Sequence, residues 1–263
     1  MIGPRRIVCL TEEPTEVLYA LGEQHRIVGI SGFTVRPAIA RKEKPKVSAF
    51  TSAKIGEILK LKPDFVIGFS DIQAEIASTL IKHGIEVWIS NHRNVEGILE
   101  YISRLGALVG CAQKANDYAG SLRANLDQIA EQSSRLVIRP KVYFEEWDEP
   151  LISGIQWVAE LVRIAGGDDI FPELAAQSLA KNRIMADGSE VIARNPDIIF
   201  GSWCGKKFRP EKVAVRDGWQ SIAAVKNGDL YEIKSPMILQ PGPAALTDGI
   251  TEMAKHINAW QLR

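Results

Sequence analysis

Acidic residues gather at one point of the sequence, where they could exchange protons with a bound molecule. Four carboxylates lie close together at Glu145, Glu146, Asp148 and Glu149. Paired carboxylates can act as general acid and base when a substrate lies within their reach. The sequence has no GxSxG, Walker or GxGxxG motif to accompany them. A solvated acidic loop at the end of a strand explains the cluster more simply, so we predict that the protein is not an enzyme.

Cysteine and histidine residues are the other candidates for chemistry, as metal ligands. The full set is Cys9, Cys111, Cys204, His25, His83, His92 and His256. A transition-metal site needs several such ligands to converge. Only His92 and Cys204 follow predicted strands on the side where a ligand would lie, and we interpret His92 as a solvated loop residue. A chelatase-like or nitrogenase-like metalloprotein, the one enzyme alternative, would need more ligands than Cys204. We predict no metal site, no cofactor and no disulfide framework.

The charge balance limits the partners of the chain. Lys plus Arg and Asp plus Glu each number 32 in 263 residues, which gives a formal net charge of zero. Nucleic-acid binding needs a basic surplus or stripe, so we expect no nucleic-acid partner. No apolar run approaches the roughly 20 residues of a membrane-spanning helix. No segment resembles an export signal, which predicts a cytoplasmic protein as written, or a periplasmic one if a leader has been removed.

A repeated segment organises the chain into two similar halves. Residues 58–68, ILKLKPDFVIG, resemble residues 191–201, VIARNPDIIFG. Each reads as a helix stopped by proline, followed by a short strand that ends in glycine. An unbroken run of Phe, Val and Ile is typical of a parallel strand covered on both faces. The sequence therefore predicts an α/β fold with two similar lobes, each built on a parallel sheet.

The flanking segments extend the repeat. Predicted strands occupy 6–10 and 84–89 in the first half and 141–145 and 228–233 in the second, with closing helices near 95–107 and 244–258. Between the halves, apolar residues at helical spacing predict a helix over 112–136, about 35 Å long at 1.5 Å per residue. We predict an N-terminal lobe over 1–111, a connecting helix over 112–136 and a C-terminal lobe over 137–263, with the ligand cleft between the lobes.

The opening of the chain resembles a known family. Residues 4–11, PRRIVCLT, followed by 13–16, EPTE, are similar to the first element of the helical-backbone substrate-binding proteins of ABC importers. The second-half segments 217–219, DGW, and 224–228, AVKNG, are similar to a later element of that family. The resemblance covers nearly the whole chain and is nearest to the cobalamin-binding branch. One departure is that the small residue usual after the first strand is Thr11 here and is followed by Glu12 and Glu13, which makes this edge more acidic than the common pattern.

The resemblance implies a function and partners. It implies that the protein binds a cobalamin-type corrinoid for uptake by an ABC permease dimer, with docking acids on the rim of each lobe. Glu75 matches the first-lobe docking position, and Glu211 and Asp217 are both candidates in the second lobe. Two alternatives remain: a ferric-siderophore or haem binding protein, and a cytosolic corrinoid-handling protein without a permease.

The ends of the predicted strands supply the candidate ligand site, because ligands of open α/β sheets bind beyond the carboxyl ends of the strands. The predicted ligand-binding residues are Phe33, Phe50, Ser70, Trp147, Glu149, Trp203 and Met237. Aromatic side chains suit a large, flat, mostly neutral ligand. For Phe33 and Phe50, packing in the core is nearly as good an interpretation. An anionic siderophore would instead use basic residues, which could be Arg36, Arg183, Lys206 and Arg209.

Overall fold

A computed structural model describes residues 3–262 of the chain. The strands are β1 (Ile7–Cys9), β2 (Ile27–Ser31), β3 (Lys46–Ser48), β4 (Phe65–Phe69), β5 (Glu86–Ser90), β6 (Lys141–Asp148), β7 (Leu151–Ser153), β8 (Asp168–Asp169), β9 (Ile198–Gly201) and β10 (Leu230–Glu232). The helices are α1 (Glu13–Ala20), α2 (Ala40–Glu43), α3 (Ile55–Lys60), α4 (Ala74–Lys82), α5 (Val95–Leu108), α6 (Ala112–Ser133), α7 (Gln156–Ile164), α8 (Pro172–Ala175), α9 (Ser189–Arg194), α10 (Pro210–Ala214), α11 (Ala223–Asn227), α12 (Ser235–Ile238) and α13 (Ile250–Gln261).

The chain divides into two compact units. The first runs to His92 and includes Glu96–Ser121, and the second consists of Arg93–Val95 and the chain from Leu122 onward. The division falls inside α6, whereas the sequence predicts that helix as a separate element over 112–136. The observed helix ends at Ser133, three residues early, and no described helix is both long and apolar enough to cross a membrane.

The first unit is built on a five-stranded sheet in the order β3-β2-β1-β4-β5, with every pair parallel. In the central pair, Ile7 lies opposite Phe65 and Val8 opposite Val66. These strands are buried along their whole length, as the unbroken apolar runs predict for a sheet covered on both faces. The α/β fold with parallel-sheet lobes is therefore confirmed for this unit.

The second unit has a sheet in the order β10-β9-β6-β7, with β8 also paired to β6. Its pairs are parallel except for β6 and β7, which form an antiparallel hairpin. The prediction that the first strand of this unit ends at Glu145 is wrong, because β6 continues to Asp148. The acidic residues resemble a loop in sequence, but Trp147 pairs with Ile152 in the ladder. Pairing with the short apolar run after the turn outweighs the low strand propensity of the acids.

The Pro-Asp corner of the repeat has the same role in both units. The Asp64 carboxylate accepts a hydrogen bond from the backbone N–H of Arg6 at 2.9 Å, and the Asp197 carboxylate accepts one from Lys141 at 2.8 Å. In both cases the donor lies at the start of the central strand, β1 or β6. The aspartate therefore fastens the repeated strand to its neighbour at the edge away from the candidate site.

The glycine at or next to the end of each repeated strand makes room for a neighbouring side chain. A Cβ at Gly68 would collide with the side-chain oxygen of Gln73, and a Cβ at Gly201 would collide with the ring of Phe208. Both glycines are thus required by close approach of a side chain to the backbone.

The closing helices match their predicted positions with one irregularity. The helix predicted over 95–107 is α5. The helix predicted over 244–258 begins as a π-helical turn, Ala245–Gly249, before continuing as α13.

Candidate functional site

The carboxyl end of β1 carries a pair of buried glutamates. Glu12 is 6% exposed and Glu13 1% exposed. The Thr11 hydroxyl donates to Glu13 Oε1 at 2.6 Å, and the Ser31 hydroxyl donates to Glu12 Oε1 at 3.4 Å. The Oε2 atom of each glutamate accepts no hydrogen bond from the described residues. One carboxyl oxygen of each is thus held by the first unit, and the other is left without a donor.

Burial sets the protonation of this pair. Loss of solvation raises the pKa of Glu12 to about 7 and that of Glu13 to about 8, where the charge of Glu12 adds to the rise. Near neutral pH Glu13 is therefore mostly the neutral acid and Glu12 is divided about equally between acid and carboxylate, in place of the two full charges that the sequence alone suggests.

The predicted ligand-binding residues of the first unit differ in exposure. Phe33 is 48% exposed, Phe50 is partly buried, and Ser70 is 1% exposed. The Ser70 hydroxyl accepts from the Ile72 N–H at 3.4 Å, so it caps the turn that leads into α4. Glu75 lies exposed in the first turn of α4. Ligand contact and docking by these side chains stay predictions.

Gln73 is a structural residue of this edge that the sequence analysis missed. Its side chain is fully buried. Its Oε1 accepts from the Phe69 N–H at 3.0 Å, and its Nε2 donates to the Phe50 carbonyl at 3.1 Å. A lone glutamine after a strand gives no signal in sequence. The amide nevertheless fixes the loop that carries Phe50 to the end of β4.

The β6–β7 hairpin of the second unit holds a buried ion pair. Glu145 is 0% exposed, and Arg216 binds both of its oxygens, at 2.6 and 2.9 Å. The Trp203 indole N–H donates to Glu145 Oε1 at 3.0 Å. Burial raises the pKa of Glu145, and the hydrogen bonds and charge of Arg216 oppose that rise. A two-point guanidinium contact of this kind compensates a buried carboxylate.

Two further acids of the hairpin also contact cations. Glu146 pairs with Arg183, which is 1% exposed and also donates to the Ser153 carbonyl. Asp148 pairs with Lys206. The acidic cluster seen in the sequence is thus largely neutralised by cations from elsewhere in this unit, which leaves it ill suited to acid–base catalysis.

The two tryptophans predicted to bind ligand lie in different environments. Trp147 is partly buried, and its indole N–H donates to the Glu149 carbonyl at 2.8 Å. The Lys206 ammonium lies 4.3 Å from its ring centroid. Trp203 is 3% exposed and packs edge-on against Phe208, with ring centroids 5.0 Å apart. Trp147 therefore has accessible surface, whereas Trp203 belongs to the core. Ligand contact by either tryptophan remains a prediction.

The remaining predicted residues lie at the surface or partly buried. Glu149 is exposed at the hairpin turn, and Met237 is partly buried on α12. Among the described residues, no group of three or more His, Cys, Asp and Glu side chains could hold a metal ion. Cys204 is exposed. His92, interpreted from sequence as a solvated loop residue, instead stacks on Tyr101 with ring centroids 4.7 Å apart.

Comparison with known proteins gives the family. A family model described as "Periplasmic binding protein" matches residues 7–237. The vitamin B12-binding protein of Vibrio campbellii is 26% identical over 259 residues, which cover 97% of this chain and 90% of that protein. The uncharacterized ABC transporter substrate-binding lipoprotein YvrC of Bacillus subtilis is 26% identical over 267 residues, covering 97% of this chain and 80% of that protein.

A solved structure shares the fold. The apo form of the periplasmic heme-binding protein RhuT from Roseiflexus sp. RS-1 superimposes with a TM-score of 0.82 at 20% identity, covering 97% of this chain and 100% of that one. The family match spans both of the parallel-sheet units and the edges where the candidate residues lie. This chain belongs to the periplasmic binding protein family.

Proposed function

We propose that the protein binds a cobalamin-type corrinoid and presents it to the permease of an ABC importer. The observation that carries the proposal is the partly exposed Trp147 on a hairpin three of whose four acids are paired with cations of the same unit. A large, flat ligand with little net charge suits such a surface. The similarity to the vitamin B12-binding protein of Vibrio campbellii supports the same ligand class.

The pairing of the basic residues argues against a ferric siderophore. Each cation considered for an anionic ligand contacts a carboxylate of the chain: Arg36 with Glu16 at 3.1 Å, Arg183 with Glu146 at 2.5 Å, Lys206 with Asp148, and Arg209 with Glu211 at 3.7 Å. An anionic chelate that used these cations together would have to displace several carboxylates at once, and in the buried pairs it would leave a carboxylate uncompensated.

Haem is the second candidate, since the fold is shared with a heme-binding protein. Haem needs an axial ligand from a side chain such as His, Tyr, Cys or Met. Cys204, exposed beside Trp203, is such a side chain. Haem binding through this thiolate would give a Soret band that shifts in a Cys204→Ser variant.

Delivery to a permease requires accessible acids. Glu75, Glu211 and Asp217 are all exposed, so each can reach a basic partner. We propose Glu75 for the first unit and Glu211 or Asp217 for the second.

The first test is calorimetric titration of ligand-free protein with cyanocobalamin, hemin and a ferric hydroxamate siderophore in parallel. We expect one-to-one binding of cyanocobalamin and at least tenfold weaker binding of the other two. A Trp147→Ala variant should lose most of the affinity, while the matched variant Trp260→Ala, near the end of α13, should not. No heat with cyanocobalamin at tens of micromolar protein, meaning binding weaker than about −6 kcal/mol, would contradict the proposal.

A further inference from the structure

The Lys206 side chain lies across the aromatic surface that the proposed ligand would use. Its ammonium is 4.3 Å from the ring centroid of Trp147 and 5.0 Å from that of Trp203. It also pairs with Asp148, whose side chain is 14% exposed, while the Lys206 side chain is 41% exposed. The ammonium therefore sits at the solvent boundary, with indole rings and a carboxylate as its neighbours.

The ring of Trp147 is fixed more firmly than the lysine that covers it. Its indole N–H is bound to the Glu149 carbonyl at 2.8 Å, and it packs against the buried cluster of the second unit. Lysine, by contrast, carries its charge on a flexible four-carbon stem and is strongly attracted to water. When a flat molecule approaches the covered face, the lysine is the group that can move.

We propose that Lys206 is a specificity-determining residue, which covers Trp147 in the ligand-free protein and must be displaced by a flat ligand. The inference rests on the proposed function. A ligand that carries its own anion can bind the displaced ammonium, and so offsets the lost contact with the ring. A ligand without an anion must compete against that contact unaided. Lys206 therefore favours corrinoids that carry the phosphodiester of the nucleotide tail over corrinoids that lack it.

The size of the effect follows from the strength of a cation–π contact at a partly exposed site. Such a contact contributes enough to change an affinity roughly three- to tenfold. The ion pair with Asp148, close to the surface, adds a smaller amount.

The test compares cyanocobalamin with dicyanocobinamide, which lacks the nucleotide tail, on the full chain and two variants. We expect Lys206→Met to bind dicyanocobinamide roughly three- to tenfold more tightly than the natural protein does, and so to narrow the preference for cyanocobalamin. The matched variant Lys206→Arg keeps a cation over the rings and should keep the preference. Equal affinity changes for both corrinoids in Lys206→Met, or no change for either, would overturn the proposal.

A measurement without ligand separates this inference from the proposed function. Acrylamide should quench tryptophan fluorescence more strongly in Lys206→Met than in Lys206→Arg, and the difference should vanish when Trp147 is also replaced by Phe. If the natural protein binds neither corrinoid while this difference is present, the proposed function fails and the covering role of Lys206 stands. Identical quenching in the two variants would reject the covering role whatever the ligand.

Discussion

The two units bury glutamates in or just after the central strand of the repeat, and they do so in opposite ways. In the first unit, Glu12 and Glu13 follow β1 with hydroxyl groups as their hydrogen-bond donors. In the second unit, Glu145 lies in β6 and receives both nitrogens of Arg216. One unit favours the neutral acid, and the other compensates the charge with a cation.

The difference determines which change destabilises each unit. A fold that buries a carboxyl group as the neutral acid loses stability when rising pH removes the proton of that group. A carboxylate that is buried as an ion pair tolerates pH but depends on its partner, since removing one member leaves an uncompensated charge. At Glu12 and Glu13 the stability of the fold therefore depends on pH. At Glu145 it depends on the presence of the partner cation.

The largest expected effect is loss of the arginine. Arg216→Met leaves Glu145 buried without its cation and should lower the free energy of unfolding by about 3–5 kcal/mol, measured by urea denaturation. The double variant Glu145→Gln with Arg216→Met should recover a substantial part of that loss. If the single variant were as stable as the natural protein, the ion pair would not be what compensates Glu145.

The next effect is the pH dependence that the buried glutamates of the first unit contribute; Asp169 of the second unit, whose pKa burial raises to about 6, contributes a separate one at lower pH. Because the folded-state pKa values of about 7 and about 8 lie above the ordinary value of 4.5, the folded protein holds more protons than the unfolded chain between about pH 4.5 and pH 8. The stabilisation is complete below that window and is lost as the pH rises through it. Each group contributes a slope of at most about 1.4 kcal/mol per pH unit.

The variants Glu12→Gln and Glu13→Gln should each flatten this dependence, measured as unfolding free energy at a series of pH values from 5 to 9. Glu131→Gln, at an exposed position of α6, is the matched control and should leave the slope unchanged. If the unfolding free energy still falls between pH 6 and pH 8 when both glutamates are replaced, the groups that titrate there lie elsewhere in the protein.

The smallest expected effect on the free energy of unfolding is at the residues that precede the two prolines of the repeat. Lys62 and Asn195 both have φ of 48°, in the left-handed region that asparagine tolerates better than lysine. Lys62→Gly should raise the unfolding free energy by up to about 1 kcal/mol. Asn195→Gly should give no gain, because it also removes the hydrogen bond that Asn195 Oδ1 accepts from the Ala223 N–H at 2.8 Å. Equal gains at both sites would show that the two corners are equally strained.

Many of the helix and strand positions could be predicted because the same sequence pattern occurs twice in the chain. The Pro-Asp pair, the apolar run and the glycine recur at 58–68 and 191–201, and both segments fold as predicted except that β4 continues past Gly68 to Phe69. The extension of β6 into a hairpin could not be predicted, because acidic residues give no strand signal. What stabilises them there is pairing with β7 and contact with distant cations.

The candidate site was predictable only in outline. The strand ends were identified, but the hydrogen bonds that decide which side chains remain accessible join residues far apart in the chain. Trp203 and Glu145 are 58 positions apart, and Glu145 and Arg216 are 71 positions apart. A single sequence gives no signal for such pairs, so Trp203 could not be assigned to the core beforehand.

The glycine at or next to the end of each repeated strand lets a different kind of side chain approach the backbone in each unit. At Gly68 the space is taken by the amide of Gln73, and at Gly201 by the ring of Phe208. The first occupant is polar and joins β4 to the loop that carries Phe50, whereas the second is apolar and supports Trp203. The same backbone position thus makes room for a buried side chain in each unit, and that side chain supports the edge through polar contacts in the first unit and through aromatic contacts in the second.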